Sequence, residues 1–188
     1  MKTSYNFNTI TQKIHINWMK FINQKKDLLQ NILKIIDEKD NSQIFPKPQY
    51  VFRTLRFFSP NETKVVILGQ DPYPGYQMID DKLIPYACGL SFSVSKKITK
   101  IPGSLKNIFK EINNNYPDFK MPKHGSLINW VKKEKILLLN SGLTVEKKKP
   151  GVHLKYWMEF TDKLINWLSV NNNNIIFVLM GNFAKKKS

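Results

Sequence analysis

A carboxylate follows a short apolar run in the stretch VVILGQDPYPGY, residues 65–76. The run is typical of a buried strand, and Asp71 comes just after it, between Gly69 and Pro72. A carboxylate held rigidly at a strand end can activate water or stabilise a developing positive charge, because preorganised charge is a main source of electrostatic catalysis. Asp-Pro is also a common turn pair, so a purely structural turn is the alternative on local sequence alone.

Two other apolar runs end in residues that could bind a ligand. ILLLN ends in Asn140, and IIFVLMGN ends in Gly181-Asn182. An asparagine amide presents a donor and an acceptor side by side, although a strand-end turn would use it equally well. Ligands of parallel sheets lie at the carboxyl ends of the strands. We therefore expect three strand ends to converge on one cleft: Gln70-Asp71, Asn140 and Gly181-Asn182.

The elements that must position these residues alternate between helical and strand-like patterns. Helices are predicted over residues 17–37, 102–117 (with Ser104 as N-cap), 124–135 and 156–170. Strands are predicted over residues 64–68, 136–140 and 175–182, and their continuous apolar character is typical of parallel strands covered on both faces. The prediction is an α/β fold: a three-layer α/β/α sandwich with a central parallel four-stranded sheet, in a single domain over residues 1–188.

The connections between these elements are predicted as less regular structure. Pro46 and Pro48 mark a loop, and a short helix is predicted after them. Residues 75–88 are predicted to form an irregular loop, and GLSFSV (89–94) a second short extended segment.

The charge of the chain favours a polyanionic partner. Thirty Lys and Arg against fourteen Asp and Glu give a formal net charge of +16, which predicts attraction to nucleic acid. The chain is also rich in Lys, Asn and Ile, as proteins of A+T-rich genomes are, so composition alone is the alternative origin of the charge.

Cysteine and histidine usage bears on cofactors and location. The three histidines are far apart and Cys88 is the only cysteine, so no metal site is predicted. A lone cysteine cannot form an internal disulfide and fits a reducing compartment. Neither a secretory signal nor an apolar stretch of membrane-spanning length is present, so no membrane partner is predicted. We expect a monomer in the cytoplasm of a bacterium, with a nuclear or viral setting left open.

Several stretches, in one order, resemble a known family. They are GQDPYP, GLSFSV, HGSL, LLLNSGLTV and FVLMGNFAKKKS. Together they resemble family 1 uracil-DNA glycosylases, from about Phe45 to Ser188. The resemblance implies hydrolysis of the N-glycosidic bond of deoxyuridine in single- or double-stranded DNA, without metal or cofactor, as the first step of base-excision repair. A binding module with little or no catalysis is the alternative function.

The resemblance also implies a role for each matching residue. Asp71 matches the water-activating aspartate of the family, and Asn140 matches the asparagine that reads uracil. Tyr73 matches the aromatic wall that excludes thymine, and Phe92 the ring on which the flipped base stacks; plain core packing is the alternative for Phe92. Gln70 matches a residue whose backbone binds the base.

Three further positions match the loops of the family that bind DNA phosphates. They are Ser104, Gly181 and Asn182. His153, by contrast, is interpreted as structural.

The chain also departs from the pattern of the family. Pro74 stands where most members have histidine, and the 75–88 loop is several residues longer than usual. Gly103 and Asn182 replace a proline and a serine. The family continues beyond the position of Ser188 to a His-Pro-Ser-Pro-Leu loop, so the resemblance implies a domain that is incomplete at its C-terminus.

Overall fold

The computed structural model describes residues 4–185, with seven strands and seven α-helices. The strands are β1 (Ile44–Phe45), β2 (Val65–Gly69), β3 (Tyr76–Ile79), β4 (Lys82–Pro85), β5 (Ile136–Asn140), β6 (Val145–Glu146) and β7 (Ile176–Leu179). The helices are α1 (Phe7–Thr11), α2 (Met19–Gln24), α3 (Lys26–Asp37), α4 (Gly103–Asn115), α5 (Ile128–Glu134), α6 (Leu154–Asn171) and α7 (Gly181–Lys185).

The central sheet is parallel, with strand order β5-β2-β7. β2 and β5 are in register along their whole length, from Val65↔Ile136 to Gly69↔Asn140. Both strands end at the same edge of the sheet, so the residues that follow them are neighbours. The predicted α/β fold with a parallel sheet is confirmed; three strands of that sheet lie within residues 4–185, and a fourth is not confirmed.

The helices bury the apolar residues that their spacing predicts. α3 buries Leu29, Ile32, Leu33 and Ile36, and α6 buries Trp157, Phe160, Leu164 and Leu168. These residues belong to one core cluster that also includes β2 and β5. Within the described range, no helix combines the length and apolar character that crossing a membrane requires.

Two predicted helices are divided or shortened. The segment 17–37 is interrupted at Lys25, whose backbone (φ −113°, ψ 21°) leaves the helical region between α2 and α3. The short helix predicted after Pro48 is divided into two 3₁₀ turns, Pro48–Tyr50 and Arg53–Arg56.

The predicted irregular loop at 75–88 is wrong, because this segment contains an antiparallel hairpin. β3 pairs with β4 from Tyr76↔Pro85 to Ile79↔Lys82. The two residues at its tip, Asp80 and Asp81, both have positive φ (48° and 56°), as a two-residue hairpin turn requires.

The predicted extended segment at 89–94 is also wrong, because turns replace it. Phe92 has a φ of 60°, in the left-handed region, which a strand cannot contain. Its neighbour Ser91 donates its backbone N–H to Leu138 O of β5 at 3.1 Å, so the turn is fixed against the central sheet.

Candidate active site

A cavity of about 210 Å³ opens beside the carboxyl ends of β2 and β5. It is smaller than the roughly 300–1,000 Å³ typical of sites for drug-sized ligands, so its size suits a small ring. Its lining includes six of the predicted site residues: Gln70, Asp71, Tyr73, Phe92, Ser104 and Asn140.

Asp71 is half-buried and its carboxylate is held by the backbone of a distant loop. Its Oδ2 accepts a hydrogen bond from the N–H of Gly151 at 2.6 Å. Burial raises the pKa of Asp71 above its ordinary value, and the bond from Gly151 offsets part of this rise. A carboxylate that is partly desolvated and fixed by one oxygen is suited to accept a proton from water.

The ends of β2 and β5 stay paired beyond the strands themselves. The N–H of Ser141 donates to Gly69 O at 2.9 Å, and the N–H of Gly142 donates to Gln70 O at 2.8 Å. These bonds hold the two segments that carry Asp71 and Asn140 at a fixed separation.

Asn140 is 8% exposed and lies over Gly69, where no side chain is possible without a collision. A Cβ at position 69 would be 2.3 Å from Asn140 Oδ1 and 3.4 Å from Phe92 Cε2. The absence of a side chain at Gly69 therefore leaves the space in which the amide and the aromatic ring lie close together.

Tyr73 connects two other walls of the cavity. Its hydroxyl donates to Phe92 O at 3.3 Å and is 2.6 Å from Ser104 Oγ. Burial raises the pKa of the Tyr73 phenol, which keeps it neutral, and the bond with Ser104 offsets part of that rise. Tyr73 thus fixes the turn that carries Phe92 relative to the start of α4.

Ser104 is not the N-cap that the sequence predicts. The N-cap is two residues earlier, at Pro102, which has an extended backbone (φ −61°, ψ 150°), and the helix begins at Gly103. The carbonyl of Pro102 accepts the first helical bond from Lys106 N at 3.0 Å. Ser104 therefore lies in the first turn of α4, where its hydroxyl is available to Tyr73.

The predicted convergence holds for the ends of β2 and β5 but not for Gly181. Gln70 is exposed at the cavity, next to Asp71. Gly181 begins α7 with φ +80° and is not among the residues that line the cavity. The side chain of Asn182 lies outside the part of the chain that the structure describes.

His153 is fully buried in a hydrogen-bonded chain, in keeping with its interpretation as structural. Trp157 Nε1 donates to Thr144 Oγ1 at 2.7 Å, and that hydroxyl is 2.9 Å from His153 Nδ1. The other ring nitrogen, Nε2, is 3.4 Å from Glu146 Oε1. A carboxylate only accepts, so the contact with Glu146 requires a proton on Nε2. In the neutral ring, which burial favours, Nδ1 then accepts from Thr144. This series of hydrogen bonds orders the loop that presents Gly151 to Asp71.

Because His153 is buried, we expect the protein to lose stability as the pH falls. Burial lowers the pKa of His153 from its ordinary 6.5, and Glu146 offsets only part of that effect. The unfolded chain therefore takes up a proton that the folded chain resists, and the free energy of unfolding should decline as the pH falls through 6.5. Urea unfolding from about pH 7.5 to about pH 5.5 should show a steeper decline for wild type than for His153→Gln. Equal slopes would contradict a neutral buried ring.

Two glycines matter to the site in ways that the sequence did not indicate. Within residues 4–185, Gly151 is the only residue whose backbone N–H donates a hydrogen bond to Asp71, and it lies 80 residues away in the chain. The sequence indicated Gly69 only as a residue that flanks Asp71 at the strand end, and not as the position that makes room for Asn140. The turn-forming pair Pro150-Gly151 is a local signal, but nothing in it points to Asp71. Among residues 4–185, no three His, Cys, Asp or Glu side chains are grouped as metal ligands would be.

The sequence of this chain is similar to those of known enzymes. A family model described as the uracil DNA glycosylase superfamily matches residues 55–188. The uracil-DNA glycosylase of Blochmanniella floridana is 41% identical over 178 residues, which cover 92% of this chain and 76% of that protein. The uracil-DNA glycosylase of Francisella tularensis subsp. tularensis (strain WY96-3418) is 43% identical over 145 residues, which cover 77% of this chain and 61% of that protein.

A solved structure agrees with the sequence matches. The crystal structure of mimivirus uracil-DNA glycosylase superposes with a TM-score of 0.84 at 33% identity, over 97% of this chain and 66% of that one. The chain therefore spans less than two thirds of both the Francisella and the mimivirus proteins.

Proposed function

The chain belongs to the uracil DNA glycosylase superfamily, and we propose that it hydrolyses the N-glycosidic bond of deoxyuridine in DNA. This reaction releases uracil as the first step of base-excision repair. One observation carries the proposal. Asp71 follows β2, Asn140 ends the adjacent parallel strand β5, and both line one small cavity together with Tyr73 and Phe92.

We assign Asp71 to the sugar side of the reaction. The bond between C1′ and the base nitrogen breaks with development of positive charge on the sugar, and water adds to C1′. A carboxylate beside the sugar stabilises that charge and accepts the proton of the water. Gly151 holds Oδ2 of Asp71, so we assign the water to Oδ1.

The base side of the reaction is assigned to Asn140, Tyr73 and Phe92. The amide of Asn140 can pair with O4 and N3–H of uracil, whereas the 4-amino edge of cytosine does not match it. Thymine adds one methyl group, which a rigid wall can exclude, and Tyr73 is fixed by Phe92 O and Ser104. Phe92 offers a ring on which the flipped base can stack. Gln70 contributes its backbone at the same edge.

We assign binding of the DNA backbone to the basic residues of the chain. The net charge of +16 supports binding to the phosphate backbone, with Ser104, Gly181 and Asn182 as phosphate contacts. We further propose that the chain acts as a monomer in the bacterial cytoplasm. A buried lone cysteine, Cys88, and the bacterial origin of the two most similar relatives named above support this setting.

Single-turnover release of uracil from a single-stranded oligonucleotide is the direct test, because a single strand removes the work of flipping a base from a duplex. With enzyme in excess, we expect uracil release from a deoxyuridine oligonucleotide and no base release from matched oligonucleotides with cytosine or thymine at that position. Binding of all three that weakens with salt, without uracil release, would replace the proposal with a DNA-binding module of little catalysis.

We also expect uracil release to fall at acidic pH, because Asp71 must be deprotonated to act. Burial raises the pKa of Asp71 above the ordinary 3.8, so the fall should begin at a higher pH than for an exposed aspartate. The rate at saturating oligonucleotide should be measured as a function of pH, which separates this effect from DNA binding. A rate that stays constant down to about pH 4 would contradict the assignment.

A further inference from the structure

We propose that the hairpin β3–β4 is a brace that holds segment 95–104, which leads to the proposed phosphate contact Ser104, in its DNA-binding conformation through a contact between Gln77 and Thr99. This inference rests on the proposed function, because it assigns a role in DNA binding to a part of the chain with no other role so far.

The contact uses both ends of one amide side chain. Gln77 Nε2 donates to Thr99 Oγ1 at 2.8 Å, and the backbone N–H of Thr99 donates to Gln77 Oε1 at 3.2 Å. Two bonds from one side chain fix the orientation of the partner as well as its distance. Gln77 lies in β3 and is paired with Ile84 of β4, so the contact joins Thr99 to the hairpin as a whole.

The hairpin can act as a brace because its base is anchored on the cavity wall. Pro74 and Ala87, which flank it, both line the cavity. Tyr76 and Leu83 pack into a second apolar cluster with Ala87, and the Lys147 ammonium lies 4.5 Å from the centroid of the Tyr76 ring. The hairpin is therefore attached through side chains on one face, while Gln77 reaches the segment 95–104 from it.

The segment that the hairpin contacts is basic and leads to Ser104. Lys96, Lys97 and Lys100 are all exposed. Ser104 itself is 2.6 Å from the Tyr73 hydroxyl. The segment is thus tied twice to residues 73–77, once at Thr99 and once at Ser104.

Two ties on one short segment should favour DNA binding. A loop that must be ordered by its ligand loses binding free energy to that ordering, and a loop that is already ordered does not. Removing the Gln77–Thr99 tie should therefore weaken DNA binding and leave the chemical step at Asp71 almost unchanged, because neither Gln77 nor Thr99 lines the cavity.

The test separates DNA affinity from the chemical step. Dissociation constants for a fluorescent single-stranded deoxyuridine oligonucleotide, and excision rates at saturating oligonucleotide, would be measured for wild type, Gln77→Ala, Thr99→Val and the double variant. Thr99→Ser, which keeps the hydroxyl, tests rescue. Met78→Ala is the matched control, because Met78 is on the same strand and 56% exposed.

We expect Kd to rise about 3–10-fold in Thr99→Val, which loses one of the two hydrogen bonds, and by at least as much in Gln77→Ala, which loses both. The saturated rate should stay within about twofold of wild type in each. The Kd of the double variant should be no higher than the higher of the two single-variant Kd values. Thr99→Ser and Met78→Ala should bind as wild type does.

Other outcomes overturn the brace. Unchanged Kd in both single variants, or an equal loss in Met78→Ala, would do so, as would a lower melting temperature with unchanged Kd. If wild type binds the oligonucleotide but releases no uracil, the proposed catalysis fails, and the Kd values still decide the brace.

Discussion

Replacing Asp71 with asparagine should reduce single-turnover uracil release by about 10²–10⁴-fold, the range for loss of a positioned general base. Asparagine has nearly the same shape, and its amide oxygen can still accept the bond from Gly151. The substitution removes the negative charge and the proton acceptor while the cavity keeps its form. DNA binding should be unchanged or slightly tighter, because one negative charge is lost near a polyanion.

A matched change of charge elsewhere isolates the effect of Asp71. Asp118 is exposed in the loop after α4, so Asp118→Asn makes the same chemical change away from the cavity. That variant should release uracil at the wild-type rate. If Asp71→Asn stays within about tenfold of wild type, Asp71 is not the general base and the assigned mechanism is wrong.

Adding a single methyl group at Gly69 should impair excision by about 10²-fold, the effect expected when a recognition group is displaced by about 1 Å. In Gly69→Ala the new Cβ would lie 2.3 Å from Asn140 Oδ1, 3.3 Å from Ser91 Cβ and 3.4 Å from Phe92 Cε2. The amide must move, because a contact of 2.3 Å is far inside van der Waals distance. We expect the loss to appear mainly in uracil recognition, since Asn140 is the residue that moves.

Two measurements keep this prediction separate from simple unfolding. Thermal unfolding of Gly69→Ala shows whether the fold survives, and inhibition by free uracil shows whether the base site is altered. Gly103→Ala serves as the matched control, because a Cβ at position 103 meets nothing within 4 Å. Wild-type excision and wild-type inhibition by uracil in Gly69→Ala would show that Asn140 does not read the base.

The sequence predicted the central sheet well because buried parallel strands leave a strong local pattern. The runs before Asp71 and Asn140 are short and apolar. They appear as β2, which lies one residue later than predicted at each end, and as β5, which has the predicted ends. Parallel strands end at the same edge of the sheet, so a common location of Asp71 and Asn140 at that edge could be inferred without coordinates, whereas the direct pairing of β2 with β5 could not.

The turn at Phe92 could not be predicted in the same way. GLSFSV alternates like a strand, and nothing local indicates the positive φ of Phe92. That conformation is fixed by tertiary contacts, through Ser91 to β5 and through the Tyr73 hydroxyl. At such positions long-range contacts, and not the local pattern, determine the backbone conformation.

The hairpin was missed although its sequence carried a signal. Asp80-Asp81 lies between two segments with apolar residues, and aspartate tolerates the left-handed conformation that a two-residue turn needs. Its contact with Thr99, in contrast, depends on how the hairpin is placed on the cavity wall, and no local pattern could reveal it.

The bond between Gly151 and Asp71 has a consequence for the order in which the protein folds. It joins residues 80 positions apart, and β1 pairs with β6 across a still wider gap, from Ile44 to Glu146. Contacts of such long sequence separation form slowly, because much chain entropy must be lost before they can close. During synthesis the aspartate leaves the ribosome well before Asn140 and Gly151, so the active site should be completed only late in folding.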